Sequence, residues 1–116
     1  MTDSEPSAKP FDIDGLNEMY GKDTVAELLQ MSVDEARGLL DQIERAVQER
    51  DTKALMAAAH QLKGLASTMT INHLAKLSFE LEASARQEMW DSVPETTKRL
   101  ETEYQHVAQY VAEVLA

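Results

Sequence analysis

An all-α fold, an antiparallel up-and-down four-helix bundle preceded by a short capping helix, is what this sequence predicts, and three observations carry that reading. Apolar residues recur at helical spacing over four long stretches of roughly 18 to 27 residues. The breaks between those stretches span only about two to four residues, which forces antiparallel neighbours. No strand-like alternation, internal repeat or low-complexity tract competes. A chain of 116 residues is one domain's worth, and a domain of that size buries about two thirds of its unfolded surface without disulfides or metals.

Residues 1–10 hold two prolines and two serines and little that packs, so they read as a flexible lead or linker ahead of a bundle over residues 11–116. Phe11, Ile13, Leu16, Met19 and Tyr20 then recur at helical spacing until Gly21 stops the run. This is the capping helix. With Asp23 or Thr24 as N-cap, Val25, Leu28, Leu29, Ser32, Val33, Ala36, Leu39, Leu40, Ile43, Ala46 and Val47 form a heptad-like seam to about Arg50. Gly38, inside that helix, costs about 1 kcal/mol relative to alanine and suggests close packing or a slight bend.

Asp51 is placed to cap a second long helix that runs to about Met69. After a break at Thr70-Ile71-Asn72, Leu74, Leu77, Leu81 and Ala85 mark a third, ending near Trp90. Ser92-Val93-Pro94-Glu95 reads as a capping box with proline in the first turn, opening a fourth helix whose stripe is Thr97, Leu100, Tyr104, Val107, Val111 and Val114.

Composition excludes whole classes of function. With 21 acids against 11 bases the formal charge is −10, which repels nucleic acid phosphates and anionic lipid alike. Cysteine is absent, so there is no disulfide framework, thiol nucleophile or cysteine-based zinc site. No apolar run approaches the ~20 residues of a membrane span, and the N-terminus lacks the order of a secretory signal. A soluble, cytoplasmic chain is expected.

The chemistry centres on the second long helix. Taking Leu55 as zero, the apolar set Leu55, Ala58, Ala59, Leu62, Leu65, Ala66 and Met69 centres near ~340°, whereas His60 sits near ~140° and Gly64 near ~180°, with Lys63 at ~80°. A titratable imidazole therefore stands on the wet side. Lys63 and Gly64, at i+3 and i+4, share that side. A lysine there can hold phosphoryl oxygens as a mobile point charge, and a glycine removes the side chain that would block a partner's approach. Nothing in the apolar seam asks for Gly64, whereas a docking surface does. Met69 belongs to the core arc, and Met56, one turn before His60 on the exposed side, suits a partner interface. His73 and His106 lack an i+4 partner of the zinc-motif kind and read as ordinary surface or boundary residues. Glu80 and Glu82, two apart, fall on different sides of a helix and form no paired acid/base site, so Glu82 reads as solvated or structural.

His60-Gln61-Leu62-Lys63-Gly64, followed by Leu74, Leu77 and Leu81-Glu82, resembles the histidine-containing phosphotransfer (HPt) domain family, in which a histidine opens an H-x-L-K-G run. The resemblance covers residues 11 to 116. It implies a phosphocarrier: His60 accepts a phosphoryl group from the phospho-aspartate of one receiver domain and donates it to an aspartate of another, Lys63 steadies the group, and Gly64 leaves room for the receiver's loops. Partners are then receiver domains of response regulators and of a hybrid histidine kinase. No cofactor is expected on this chain, the Mg²⁺ being the receiver's. Met56, Gln61, Leu65 and Ser67 are the expected docking patch. Leu65 stands where the family commonly has a small residue, and Thr70 where it most often has glycine. Thr70 disfavours a left-handed turn, leaving Asn72 to take that conformation or to cap the next helix.

A non-catalytic bundle that binds and regulates a receiver or other partner is the alternative, and intact His60 and Lys63 argue against it. A histidine kinase is set aside, because Gly64-Leu65 follows the histidine where such kinases usually have proline and the chain has no room for an ATP-binding domain. With all four stripes satisfied internally, a monomer is expected.

Overall fold

A computed structural model describes residues 9–116. The expectation of an unstructured lead falls, for residues 1–8, outside the described part. The helices are α1 (Ile13–Tyr20), α2 (Lys22–Glu49), α3 (Thr52–Thr68), α4 (Asn72–Arg86) and α5 (Val93–Leu115), with a 3-10 turn at Trp90–Ser92 before α5. Each of α2 to α5 packs on its neighbour in sequence, and α5 closes the ring onto α2, so the four-helix bundle is as expected. The α3–α4 contact is the most extensive.

α1 starts where Asp12 accepts the Gly15 N–H at 3.0 Å. It covers one end of the bundle through Leu16, and Phe11 just before it meets the Tyr110 ring edge-on at 5.1 Å. Met19 and Tyr20, expected on its apolar side, are exposed. A helix of two turns has only one buried stripe, and Leu16 with half-buried Ile13 fills it. The junction with α2 is a single residue: Gly21, at φ 88°, ends α1 and begins α2. That left-handed turn leaves Asp23 and Thr24, the expected caps, inside the helix.

Along α2 the expected seam is the buried or half-buried face throughout. Of the two expectations for Gly38, close packing is not met. The glycine is exposed, and a Cβ there would meet nothing within 4 Å, so no close packing requires it. Arg37 joins α2 to α5 through a bidentate bridge to Glu101, at 2.8 and 3.1 Å, while lying over the Tyr104 ring at 4.9 Å. Those bonds hold the Glu101 carboxyl below its ordinary value, while burial pushes neighbouring Glu44 up.

The helix ends depart most from the sequence reading. α3 begins as expected, with Asp51 accepting the Ala54 N–H at 3.1 Å. At its other end Thr70 itself, not Asn72, takes the left-handed conformation, at φ 58°, and Asn72 is the first residue of α4. The reason is the closing bonds: the Ile71 N–H reaches Ala66 O at 2.8 Å and the Thr70 N–H reaches Ser67 O at 3.1 Å, with Ile71 buried to lock the turn. α4 stops at Arg86 rather than near Trp90, because Glu88 turns left-handed at φ 54° and the Met89 N–H closes onto Ser84 O. The expected capping box does not form. Ser92 has helical dihedrals at the end of the 3-10 turn, and its hydroxyl bonds Met89 O and Ser84 Oγ instead of the first turn of α5.

Gly38→Ala is expected to raise stability by about 0.5–1 kcal/mol, read as a higher urea midpoint, because the helix gains propensity and the methyl meets open space. Glu101→Gln is expected to lower it by about 0.5–1 kcal/mol at neutral pH. Because the folded carboxyl lies below its unfolded value of 4.5, the contribution is complete above that pH and fades as pH falls through the folded value. Urea midpoints of the two proteins should therefore converge in acid.

Candidate functional site

α3 buries Leu55, Ala58, Ala59, Leu62 and Ala66, and its three alanines let α4 come close. That leaves His60 on the outside, with a side chain 65 % exposed. Its ring leans towards α4, where Glu82 Oε2 lies 3.2 Å from Nδ1. Glu82, read from sequence as solvated or structural, is buried at 8 % side-chain exposure and is the hub of the site. Arg86, one turn on, donates to the same Oε2 at 2.9 Å, and Lys63 Nζ stands 3.5 Å from Oε1. The lysine distance is an ion pair rather than a hydrogen bond, and Oε1 accepts none.

This arrangement selects a tautomer. An ionised carboxylate only accepts hydrogen bonds, so the contact requires the proton on Nδ1. In the neutral ring the lone pair is then on Nε2, the nitrogen not engaged by Glu82. Lys63 also lies over the exposed Phe79 ring at 5.4 Å, so the cation is held between a buried anion and an aromatic face.

Gly64 is exposed, and a Cβ on it would meet nothing within 4 Å of this chain. Of the expected docking residues, Gln61 and Ser67 are exposed and Met56 is half-buried. Leu65, turned about 140° from His60 around the helix, is half-buried and lines a small apolar cavity with Leu29, Val33 and Tyr104, too small for a ligand.

Sequence reasoning missed Glu82, Arg86 and Phe79. The signal was their spacing: residues 79, 82 and 86 share one stripe of α4, and an apolar, an anionic and a cationic residue on one stripe is a partnered surface. Comparing Glu82 only with Glu80 hid it. Among the described residues no group of three or more His, Cys, Asp or Glu can hold a metal ion, and no helix is long and apolar enough to cross a membrane.

The Hpt domain family model matches residues 27–110. The chain is also similar to the crystal structure of histidine-containing phosphotransfer protein B (HptB) from Pseudomonas aeruginosa PAO1, with a TM-score of 0.85 and 30% sequence identity over 92% of this chain and 95% of that one. No match is found among curated proteins. With this fold, match and likeness together, the chain belongs to the Hpt domain family, the histidine phosphotransfer modules of two-component phosphorelays.

Proposed function

We propose that His60 is the phosphoryl-accepting residue, taking the group from the phospho-aspartate of one receiver domain and returning it to the aspartate of another. The observation that carries this is the exposed imidazole whose Nδ1 is committed to a buried carboxylate. The Nε2 lone pair forms the bond to phosphorus as the bond from phosphorus to the aspartate oxygen breaks, and the carboxylate leaves with that electron pair. Glu82 keeps the Nδ1 proton in place and balances the positive charge the ring acquires. Transfer to the second receiver reverses the step.

Lys63 is within reach of both Glu82 and solvent, so it serves as a cation that can follow the charge of the incoming phosphoryl oxygens. Open space at Gly64 supports a role in admitting the receiver rather than in packing this fold. Met56, Gln61, Ser67 and the exposed Phe79 make up the docking face, while Leu65 packs towards α2. The chain has no ATP site in this reading, and the divalent ion of the reaction is the receiver's. It acts as a monomer in this reading, the four apolar stripes facing one another within a single chain.

His60→Gln is expected to abolish acid-labile, receiver-dependent phosphorylation with the helical circular dichroism unchanged. A Gln variant that still takes up phosphate normally would sink the assignment. Glu82→Ala is expected to slow transfer on the order of tenfold or more, through loss of the held tautomer. Nitrogen-15 spectra of His60 check the cause: proton on Nδ1 alone in the native chain, both tautomers in the variant.

A further inference from the structure

The arrangement at His60 occurs a second time. His73 stands in the first turn of α4 with its side chain 54 % exposed, and its Nδ1 lies 3.2 Å from Oε1 of Glu103, whose side chain is 11 % exposed. Each is a surface imidazole on one helix turned onto a buried carboxylate of the next: α3 to α4 for His60, α4 to α5 for His73. The spacing repeats as well. Lys76 follows His73 at i+3 and is exposed, as Lys63 follows His60.

The same chemistry follows. An ionised Glu103 only accepts, so Nδ1 of His73 carries the proton and the lone pair is on Nε2. His73 borders two open clefts. One, of about 360 Å³, is lined with it by Lys98, Arg99, Thr102 and the acid Glu95. The other, of about 540 Å³, has Lys9, Asn72, Asp12 and His106 on its walls. α4 starts at this point with no side-chain cap, so its first-turn N–H groups add positive potential beside the ring. His106 differs. Its Nδ1 lies 3.7 Å from the same Glu103 oxygen, beyond hydrogen-bond reach.

We propose that His73 is a second phosphoryl-accepting histidine, serving small phosphoryl donors rather than a docked receiver. The ring stands at the edge of two clefts, a geometry that admits a small phosphorylated molecule and hinders a protein loop. With phosphoramidate as donor, Nε2 of His73 forms the bond to phosphorus while the phosphorus–nitrogen bond of the donor breaks, ammonia leaving with the electron pair. The Nδ1 proton stays against Glu103, which balances the charge on the ring.

The test is phosphoramidate labelling of the full chain at neutral pH, with sites read by mass spectrometry under alkaline conditions and ring positions by nitrogen-15 and phosphorus-31 spectra. The His60→Gln chain is expected to take up one phosphoryl group, on Nε2 of His73, on the order of tenfold faster than any label on His106. His60→Gln combined with His73→Gln is expected to lose it. In the His60→Gln background, Glu103→Leu is expected to remove the preference for His73 over His106, and Glu103→Gln, which keeps the buried shape, to weaken it. No uptake by His60→Gln, equal labelling of His73 and His106, or an unchanged preference in both folded Glu103 variants overturns the proposal. Receiver-dependent labelling of His73→Gln reads His60 separately, so failure at one histidine is distinguishable from failure at the other.

Discussion

A carboxylate at 8 % exposure between two helices is unfavourable unless donors reach it, and that constraint shapes the whole α3–α4 face. Glu82 is compensated by three groups on two helices: the ring of His60, the ammonium of Lys63 and the guanidinium of Arg86. Each of those groups stays partly exposed while its polar end is tied to a buried anchor. The imidazole therefore has a defined orientation and a defined tautomer while its other nitrogen stays outside that contact. The close approach that makes this possible is built into α3, where Ala58, Ala59 and Ala66 face the core and bring α4 near enough for its carboxylate to reach across.

The same device at Glu103 shows that the bundle uses its helix seams to hold acids. Glu82 and Glu103 are the only buried acids among the described residues, and each meets a histidine carried by the preceding helix. Arg37 and Glu101 do the complementary work across α2 and α5, where both groups are half-exposed and their charges mainly pin the register of the two helices. With a net charge of −10, placing a cation beside an acid lowers the local repulsion between neighbouring carboxylates.

Glycine follows the usual pattern at one helix end only. Gly21 makes the turn between α1 and α2, but the other helix ends that turn left-handed are occupied by Arg50, Thr70 and Glu88, residues with side chains, while Gly38 and Gly64 stand inside helices with open space around them. Backbone hydrogen bonds and the buried Ile71 enforce the turn at Thr70 against its intrinsic preference. Gly64, like Gly38, costs helix stability without relieving any contact in this chain.

Helical periodicity alone determined the four-helix architecture, the α2 seam, the Asp51 cap and the outward direction of His60, Lys63 and Gly64, because these depend on residues within a turn or two of each other. The capping serine, the left-handed threonine and the end of α4 were misjudged from sequence because short-range propensity yielded there to bonds closed by the helix termini. Which acids are buried, and which histidines they hold, was decided only by the tertiary structure. Glu82 lies 22 residues from His60 and Glu103 lies 30 from His73, so their pairing follows from how α3, α4 and α5 pack and not from any spacing along the chain.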